Sequence, residues 1–233
     1  MLPTPSLAVP KNRPFFIELA GTPRSGKTTC AEYLESLLRR SGFKTRLVAE
    51  AAASSPLREV REVDFNLWTV STTLAECLEL VDSEYHFVIV DRGLLDALFW
   101  MRWHRTSGGQ LSNQDEETIR AFLTMKRWGR IHDLAFILRS SPSVAIQREN
   151  QGFLTRRPGP IMNATTLRQF ERAVDSALSA LPSDFPREVI DTSQMRVSDT
   201  VAALARISLV LYTNSLALDQ KVTAGQSSRR VAG

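Results

Sequence analysis

Residues Gly21-Thr22-Pro23-Arg24-Ser25-Gly26-Lys27-Thr28 have the types and the spacing, G-x-x-x-x-G-K-T, of a loop that curls its backbone around phosphate groups. Glycines let successive N–H groups approach an anion closely and take dihedrals closed to other residues. Lys27 is expected to reach the β- and γ-phosphates of a triphosphate, and the Thr28 hydroxyl to ligate Mg²⁺. Thr29 follows in a helix whose positive end faces the anion. The expected ligand is a nucleoside triphosphate, ATP, with Mg²⁺, and the whole loop from Gly21 to Thr29 is the candidate cofactor site.

Such a loop needs a buried strand to deliver it and a helix to receive it. Phe15-Phe16-Ile17-Glu18-Leu19-Ala20 is a short apolar run that stops at Gly21 and reads as that strand. From Lys27 a helical pattern runs to Arg40, with Cys30, Leu34, Leu37 and Leu38 on one face, and Ser41-Gly42 ends it. Further strands are expected at Thr45 to Ala49, His86 to Val90, Leu134 to Leu138 and Glu188 to Ile190. Helices are expected at about 64–81, 94–104, 115–128, from Pro142, at 165–181 and 197–212, with Gly108-Gly109 a break. This alternation predicts an α/β chain: a three-layer fold with a five-stranded parallel sheet covered by helices on both faces. The prolines at 3, 5, 10 and 14 mark residues 1–14 as a loose arm, 15–215 read as one domain, and the polar residues 216–233 read as a disordered tail.

In a doubly wound sheet, ligands bind outside the carboxyl ends of the strands, so the polar residues there are the candidates. Glu50 follows the second strand, Asp91-Arg92 the third and Asp191 the fifth. Asp91 can hold Mg²⁺ through water or accept a proton from an attacking hydroxyl; capping the next helix is its plainer alternative. The fixed fork of donors on Arg92 matches phosphate oxygens. Glu50 precedes three alanines that leave room for a bound group, and its carboxylate suits a sugar hydroxyl or the role of general base. Between Asn150 and Asn163 the composition is that of a mobile loop. Arg148, Arg156 and Arg157 in or beside it suit a lid that brings positive charge onto a transferring phosphoryl group and keeps water out, although paired loop arginines also serve as solubilising charge.

Composition narrows the class. The chain has 233 residues, 43% hydrophobic and 23% charged, the balance of an ordinary globular domain. No apolar run approaches the roughly 18 residues of a membrane span, and the N-terminus lacks a signal-peptide pattern. Cys30 and Cys77 fall in helical patterns, which suits reduced thiols and a cytoplasmic setting. His86, His104 and His132 have no metal-ligand spacing. A net charge of +4 serves a small nucleotide's phosphates as well as it serves nucleic acid.

Taken in order, these residues resemble the P-loop nucleoside and nucleotide kinases, especially thymidylate kinase and the deoxynucleoside kinases, and the likeness extends to the P-loop domain of nicotinamide riboside kinases of the bifunctional regulator type. Gly21 to Thr28 matches their phosphate loop, Glu50 their acidic residue after the second strand, Asp91-Arg92-Gly93 their acidic-arginine motif, and Arg148, Arg156 and Arg157 their lid arginines. Two departures stand out: Gly93 replaces the aromatic of thymidylate kinases and the serine of deoxynucleoside kinases, and no arginine closely follows the second strand, Arg58 and Arg61 coming later. A GTPase would need D-x-x-G and N-K-x-D, and a motor ATPase Asp-Glu after the third strand; neither pattern occurs. The resemblance implies transfer of the γ-phosphate to a small acceptor, a nucleoside or nucleotide. An ATP-binding regulatory module and a kinase of nucleic-acid ends stay as alternatives, and a homodimer is left open. Trp68, Phe99, Trp100 and Trp103 could stack on an acceptor base, though their helical spacing suits core packing better.

Overall fold

A computed structural model describes residues 13–57, 62–108, 110–151 and 159–231 of the chain. Its centre is β1 (Phe15–Gly21), in which every residue is buried. Successive side chains of a strand point to opposite faces, and here both faces meet helices. Phe15, Ile17 and Leu19 join a core with Cys30, Leu34 and Leu38 of α1 (Lys27–Arg40) and with Val201, Leu204 and Tyr212 of α7 (Val197–Val231). Phe16 and Ala20 join the opposite core. There they meet Val70 and Leu74 of α2 (Val63–Glu79), Leu95 and Phe99 of α3 (Leu94–Trp103), and Phe170 and Val174 of α6 (Ala164–Ser179). Glu18 shares their face of β1 and is the one charged residue of the strand, buried at 5% exposure.

β2 (Thr45–Val48), β3 (Phe87–Asp91), β4 (Leu134–Arg139) and β5 (Arg187–Asp191) complete the expected five-stranded sheet, with all pairings parallel and the order β2-β3-β1-β4-β5. From β1 the chain crosses to the edge strand β2, returns to β3 beside β1, and then crosses to β4 and β5 on the other side, so the carboxyl end of β1 is the switch point where such sheets open a crevice. The register sets Leu19 beside Asp91 and Gly21 beside Leu138, which brings the ends of β3 and β4 to the start of the phosphate loop.

The rest departs from the sequence reading in detail. After α3 the chain makes a π-helical turn at His104–Gly108, then α4 (Asn113–Leu123), whose first turn is capped by Ser112 accepting from Asp115 N, and a 3₁₀ turn at Lys126–Arg130. α5 (Pro142–Gln151) follows β4. Arg13, within the expected arm, is already anchored: its guanidinium donates to both Asp133 oxygens at 2.6 and 2.8 Å. α7 continues to Val231, through the residues that composition reads as a disordered tail. Extending an existing helix adds one hydrogen bond per residue fixed, so Ala, Gln, Lys and Arg can prolong it after the apolar pattern ends. One window of α7, Val197–Ala217, has a mean hydropathy of 1.3 and is long and apolar enough to cross a membrane by composition. Counting unbroken apolar runs misses it. In the fold its Val201, Leu204, Ala205 and Tyr212 are committed to the core.

Candidate nucleotide and acceptor site

The phosphate loop leaves β1 at a point where only glycine fits. Gly21 has φ +130°, and a Cβ there would stand 2.0 Å from Leu138 O. Gly26, with φ +95°, turns the chain into α1. The loop is held from behind by the ends of β4 and β5. Thr22 N donates to Leu138 O at 3.0 Å, Ser140 N donates to Thr22 Oγ1 at 2.9 Å, and the Thr192 hydroxyl donates to Ser25 O at 2.9 Å. Arg148 of α5 donates to Arg24 O at 3.0 Å and to Thr192 O at 2.6 Å, and Arg24 pairs with the buried Glu149. The buried Ser25 hydroxyl has no hydrogen-bond partner among the described residues.

Lys27 Nζ lies in the mouth of this loop, donating to Gly21 O at 2.8 Å and Thr22 O at 2.9 Å. Burial lowers its pKa to about 8, an effect that Asp96, 3.9 Å away, partly offsets. Asp91 closes β3 at 1% exposure with the Thr28 hydroxyl beside it. Burial raises its pKa against the pull of Thr28, Arg92 and Lys27, and its buried Oδ1 has no hydrogen-bond partner among the described residues. Mg²⁺ takes hard oxygen donors and completes its octahedron with waters and substrate phosphates, so it needs only one or two protein ligands. An unpartnered carboxylate oxygen next to a threonine hydroxyl fits that demand. The described residues hold no group of three or more His, Cys, Asp or Glu that could bind a metal by themselves.

Beside the loop, a cleft of about 180 Å³ opens between the ends of β2 and β3, α2 and α3. Its walls include Glu50, Phe65, Asn66, Arg92, Gly93, Asp96, Trp100 and Ile161. Arg92 Nε stands 3.1 Å from Glu50 Oε1 and its Nη1 is 4.0 Å from Asp96 Oδ2. Burial opposes the Arg92 charge, but Asp96, Glu50 and Asp91 outweigh it and hold the guanidinium above its ordinary pKa. Burial raises the Glu50 pKa despite Arg92. Arg92 has φ +64°, an uncommon backbone state for a residue with a side chain, and such states cluster where structure is held for a function.

Glu18 explains how this corner is fixed. Its carboxylate accepts from Gly93 N at 3.0 Å, Leu95 N at 2.9 Å and Asp96 N at 2.9 Å, taking up the free donors at the start of α3. A Cβ on Gly93 would come within 2.8 Å of both Glu18 Cδ and Oε2. The departure from aromatic or serine at this position follows from that contact.

The geometry thus brings together Lys27, Thr28, Asp91, Arg92 and Glu50. Arg148 braces the phosphate loop from behind. Arg156 and Arg157, expected at the centre of a lid, lie outside the described residues, as do Arg58 and Arg61. Asp191 turns inward on its own loop, accepting from Ser193 N at 2.8 Å. Of the aromatics, Trp100 lines the cleft while Phe99 and Trp103 are buried in the core. Three residues were missed: Asp96, which accepts from Gly21 N at 3.0 Å and touches both halves of the site, the capping Glu18, and Asn66. The available signals were a carboxylate four residues beyond Arg92 on one helical face and a charge inside an otherwise apolar strand.

No family model and no curated protein matches the sequence. Solved structures do match. Deoxyadenosine kinase from M. mycoides with the products dCMP and a flexible dCDP superposes with a TM-score of 0.62 at 17% identity, covering 82% of this chain and 97% of that one. The same enzyme with dATP gives 0.62, 17%, 82% and 98%. With dCTP the figures are 0.61, 18%, 82% and 97%. With identity this low the likeness is one of architecture, and this chain has the fold of the P-loop deoxynucleoside kinases.

Proposed function

We propose that this chain is an ATP- and Mg²⁺-dependent kinase that passes the γ-phosphate to a small acceptor, a nucleoside or nucleotide, seated in the cleft between Glu50 and Trp100. The observation that carries the reading is the shared wall: Asp96 lines the cleft and also bonds the first residue of the phosphate loop, so the two ligands would sit on either side of one carboxylate. The neighbours' bound deoxynucleotides support the acceptor class.

In this reading Lys27 leaves the Gly21 and Thr22 carbonyls for the β- and γ-phosphate oxygens, which restore the positive charge that burial opposes. Thr28 and Asp91 hold Mg²⁺, which neutralises charge on the phosphates. Glu50 lines the cleft, whereas Asp91 sits with Thr28. Glu50 is therefore the general base: a carboxylate whose pKa is raised by burial takes the acceptor hydroxyl's proton as the phosphoryl group moves. Arg92 faces the equatorial oxygens of that group, and the sequence offers Arg156 and Arg157 as further positive charge for it. The buried, unbridged Cys30 and Cys77 support a cytoplasmic setting.

Incubation with γ-labelled ATP, Mg²⁺ and a panel of nucleosides, nucleotides and oligonucleotides tests the proposal. Label is expected on a nucleoside or nucleotide; label on no acceptor sinks the reading, and label on oligonucleotides alone replaces it with an end kinase.

A further inference from the structure

The turn that joins α4 to β4 sorts its apolar side chains into two sets. Leu123 and Ile131 are buried in the core beside α3 and α6. Phe122 and Met125 are turned out, 44% and 38% exposed. Trp128 braces them: its ring packs against Phe122 with centres 5.6 Å apart, and its indole N–H donates to Phe122 O at 2.6 Å. Met125 N also donates to Phe122 O at 3.2 Å, Trp128 N to Met125 O at 2.9 Å, and Ile131 N to Trp128 O at 2.9 Å, so the outward side chains stand on a closed backbone frame. Lys126, Arg127 and Arg130 flank them, all exposed. Asp82, 3.4 Å from Arg130, is the only acidic group these three pair with among the described residues, which leaves the charges of Lys126 and Arg127 uncompensated. Single exposed apolar residues are ordinary, but apolar side chains gathered on one turn inside a ring of cations form a patch.

This patch lies at the end of the sheet opposite the phosphate loop. All the strand pairings are parallel, the loop leaves the carboxyl end of β1, and the turn feeds the amino end of β4. Arg13, just before β1, donates to Gly129 O at 3.4 Å, and Asp133 N donates to Phe16 O at 3.1 Å. A surface bound there leaves the cleft and the phosphate loop open. We infer that the turn is a docking surface for an anionic bilayer, with Phe122 and Met125 entering the headgroup region and Lys126, Arg127 and Arg130 meeting the negative headgroups. Charge complementarity sets the sign of the partner, and the side chains set its class. Nucleic acid held on an aromatic platform needs rings free to stack on bases. Here the Trp128 ring and its N–H are spent on Phe122, and Met125 has no ring to stack but has a flexible apolar chain suited to lipid. A few charges and two apolar tips give reversible adsorption to the surface, not insertion across it.

Sedimentation of the full chain with vesicles tests this, using phosphatidylcholine alone and phosphatidylcholine with about a third phosphatidylserine. Binding is expected to the mixed vesicles only, and it should weaken as salt is raised. One basic charge near such a surface is worth about fivefold in partitioning, so Lys126→Gln with Arg127→Gln should lower it roughly 25-fold. Met125→Gln, which changes no charge, should lower it about threefold to tenfold through the lost apolar contact. Arg168→Gln with Arg172→Gln removes the same charge from the exposed side of α6 and should leave binding at the wild-type level. Thermal melts that match the wild type show that each variant is folded. The inference is overturned by no binding to the mixed vesicles, by equal binding to both kinds, by a patch variant that binds as the wild type does, or by an α6 pair that loses as much as the patch pair. Tighter binding to a single-stranded oligonucleotide than to the mixed vesicles, lost in the same variants, gives the surface to nucleic acid and overturns it too. Phosphate transfer by the patch variants should match the wild type, and none of the vesicle outcomes depends on the kinase reading.

Discussion

Gly93→Ala should destabilise the protein through one contact, and a double-mutant cycle with Glu18→Ala isolates it. Gly93 has a negative φ, so no left-handed backbone penalty adds to the steric cost. The new Cβ would stand 2.8 Å from Glu18 Cδ and Oε2 and 3.2 Å from Cγ, and Glu18 cannot swing aside because three backbone donors of α3 hold its carboxylate. Overpacking of this kind costs about 1–3 kcal/mol. For a chain of this length that is a fall in Tm of roughly 2–4 °C per kcal/mol. Glu18→Ala alone strands the three donors and should cost about 3 kcal/mol or more. In that background the clash is gone, so adding Gly93→Ala costs nothing further, and the coupling energy equals the Gly93→Ala penalty of about 1–3 kcal/mol. Denaturant unfolding of the four proteins gives the cycle. Strict additivity, or a Gly93→Ala protein as stable as the wild type, refutes the account of why glycine stands after Asp91-Arg92.

Because burial lowers the Lys27 pKa from 10.5 to about 8, the unfolded chain holds this proton more tightly. Relative to Lys27→Met, the nucleotide-free protein gains stability as pH rises from about 8 to 10.5 and loses it as pH falls through about 8, by roughly 3 kcal/mol at most; parallel pH profiles for the two in thermal melts refute this. Glu50→Gln should lower kcat about 10²–10⁴-fold with the Kd for ATP unchanged, and a normal kcat in a coupled assay moves the base elsewhere. Arg148→Ala frees Arg24 O and Thr192 O, so the Kd for ATP by calorimetry should rise about tenfold while the acceptor KM holds. Asp96→Asn should weaken ATP and acceptor together, because its carboxylate lies near both Lys27 and Arg92; loss of only one binding step contradicts the shared role.

What could be read from the sequence was what neighbouring residues decide. The run from Phe15 to Ala20, the glycine spacing and the periodicity of α1 lie within 26 residues of each other, and all stand in the structure as expected. β5 was legible only as a brief run because its edge position leaves Glu188 and Val189 exposed, blurring the apolar signal. Glu18 was passed over for the opposite reason. Inside an apolar run it looked incidental, since the donors that justify a buried carboxylate lie 75 to 78 residues further on. The continuation of α7 was hidden because polar residues can prolong a helix without any tertiary pattern to announce it.

Asp96 was hidden by the same kind of distance, and it changes how the motif at Asp91-Arg92 should be understood. The sequence presents that pair as a unit at the end of β3. In the fold the two side chains part: Asp91 sits with Thr28 at the phosphate loop, and Arg92, turned by its positive φ, reaches Glu50 in the cleft. Asp96 is the group that joins what they separate. Its Oδ1 accepts from Gly21 N and lies 3.9 Å from Lys27, while its Oδ2 lies 4.0 Å from Arg92. Two cations, the buried Lys27 and the half-buried Arg92, therefore share one carboxylate, and a triphosphate that draws Lys27 away leaves Arg92 as its nearest charged partner. Occupation of the phosphate loop would then tighten the hold on Arg92, which lines the cleft, through Coulomb attraction in a poorly solvated corner.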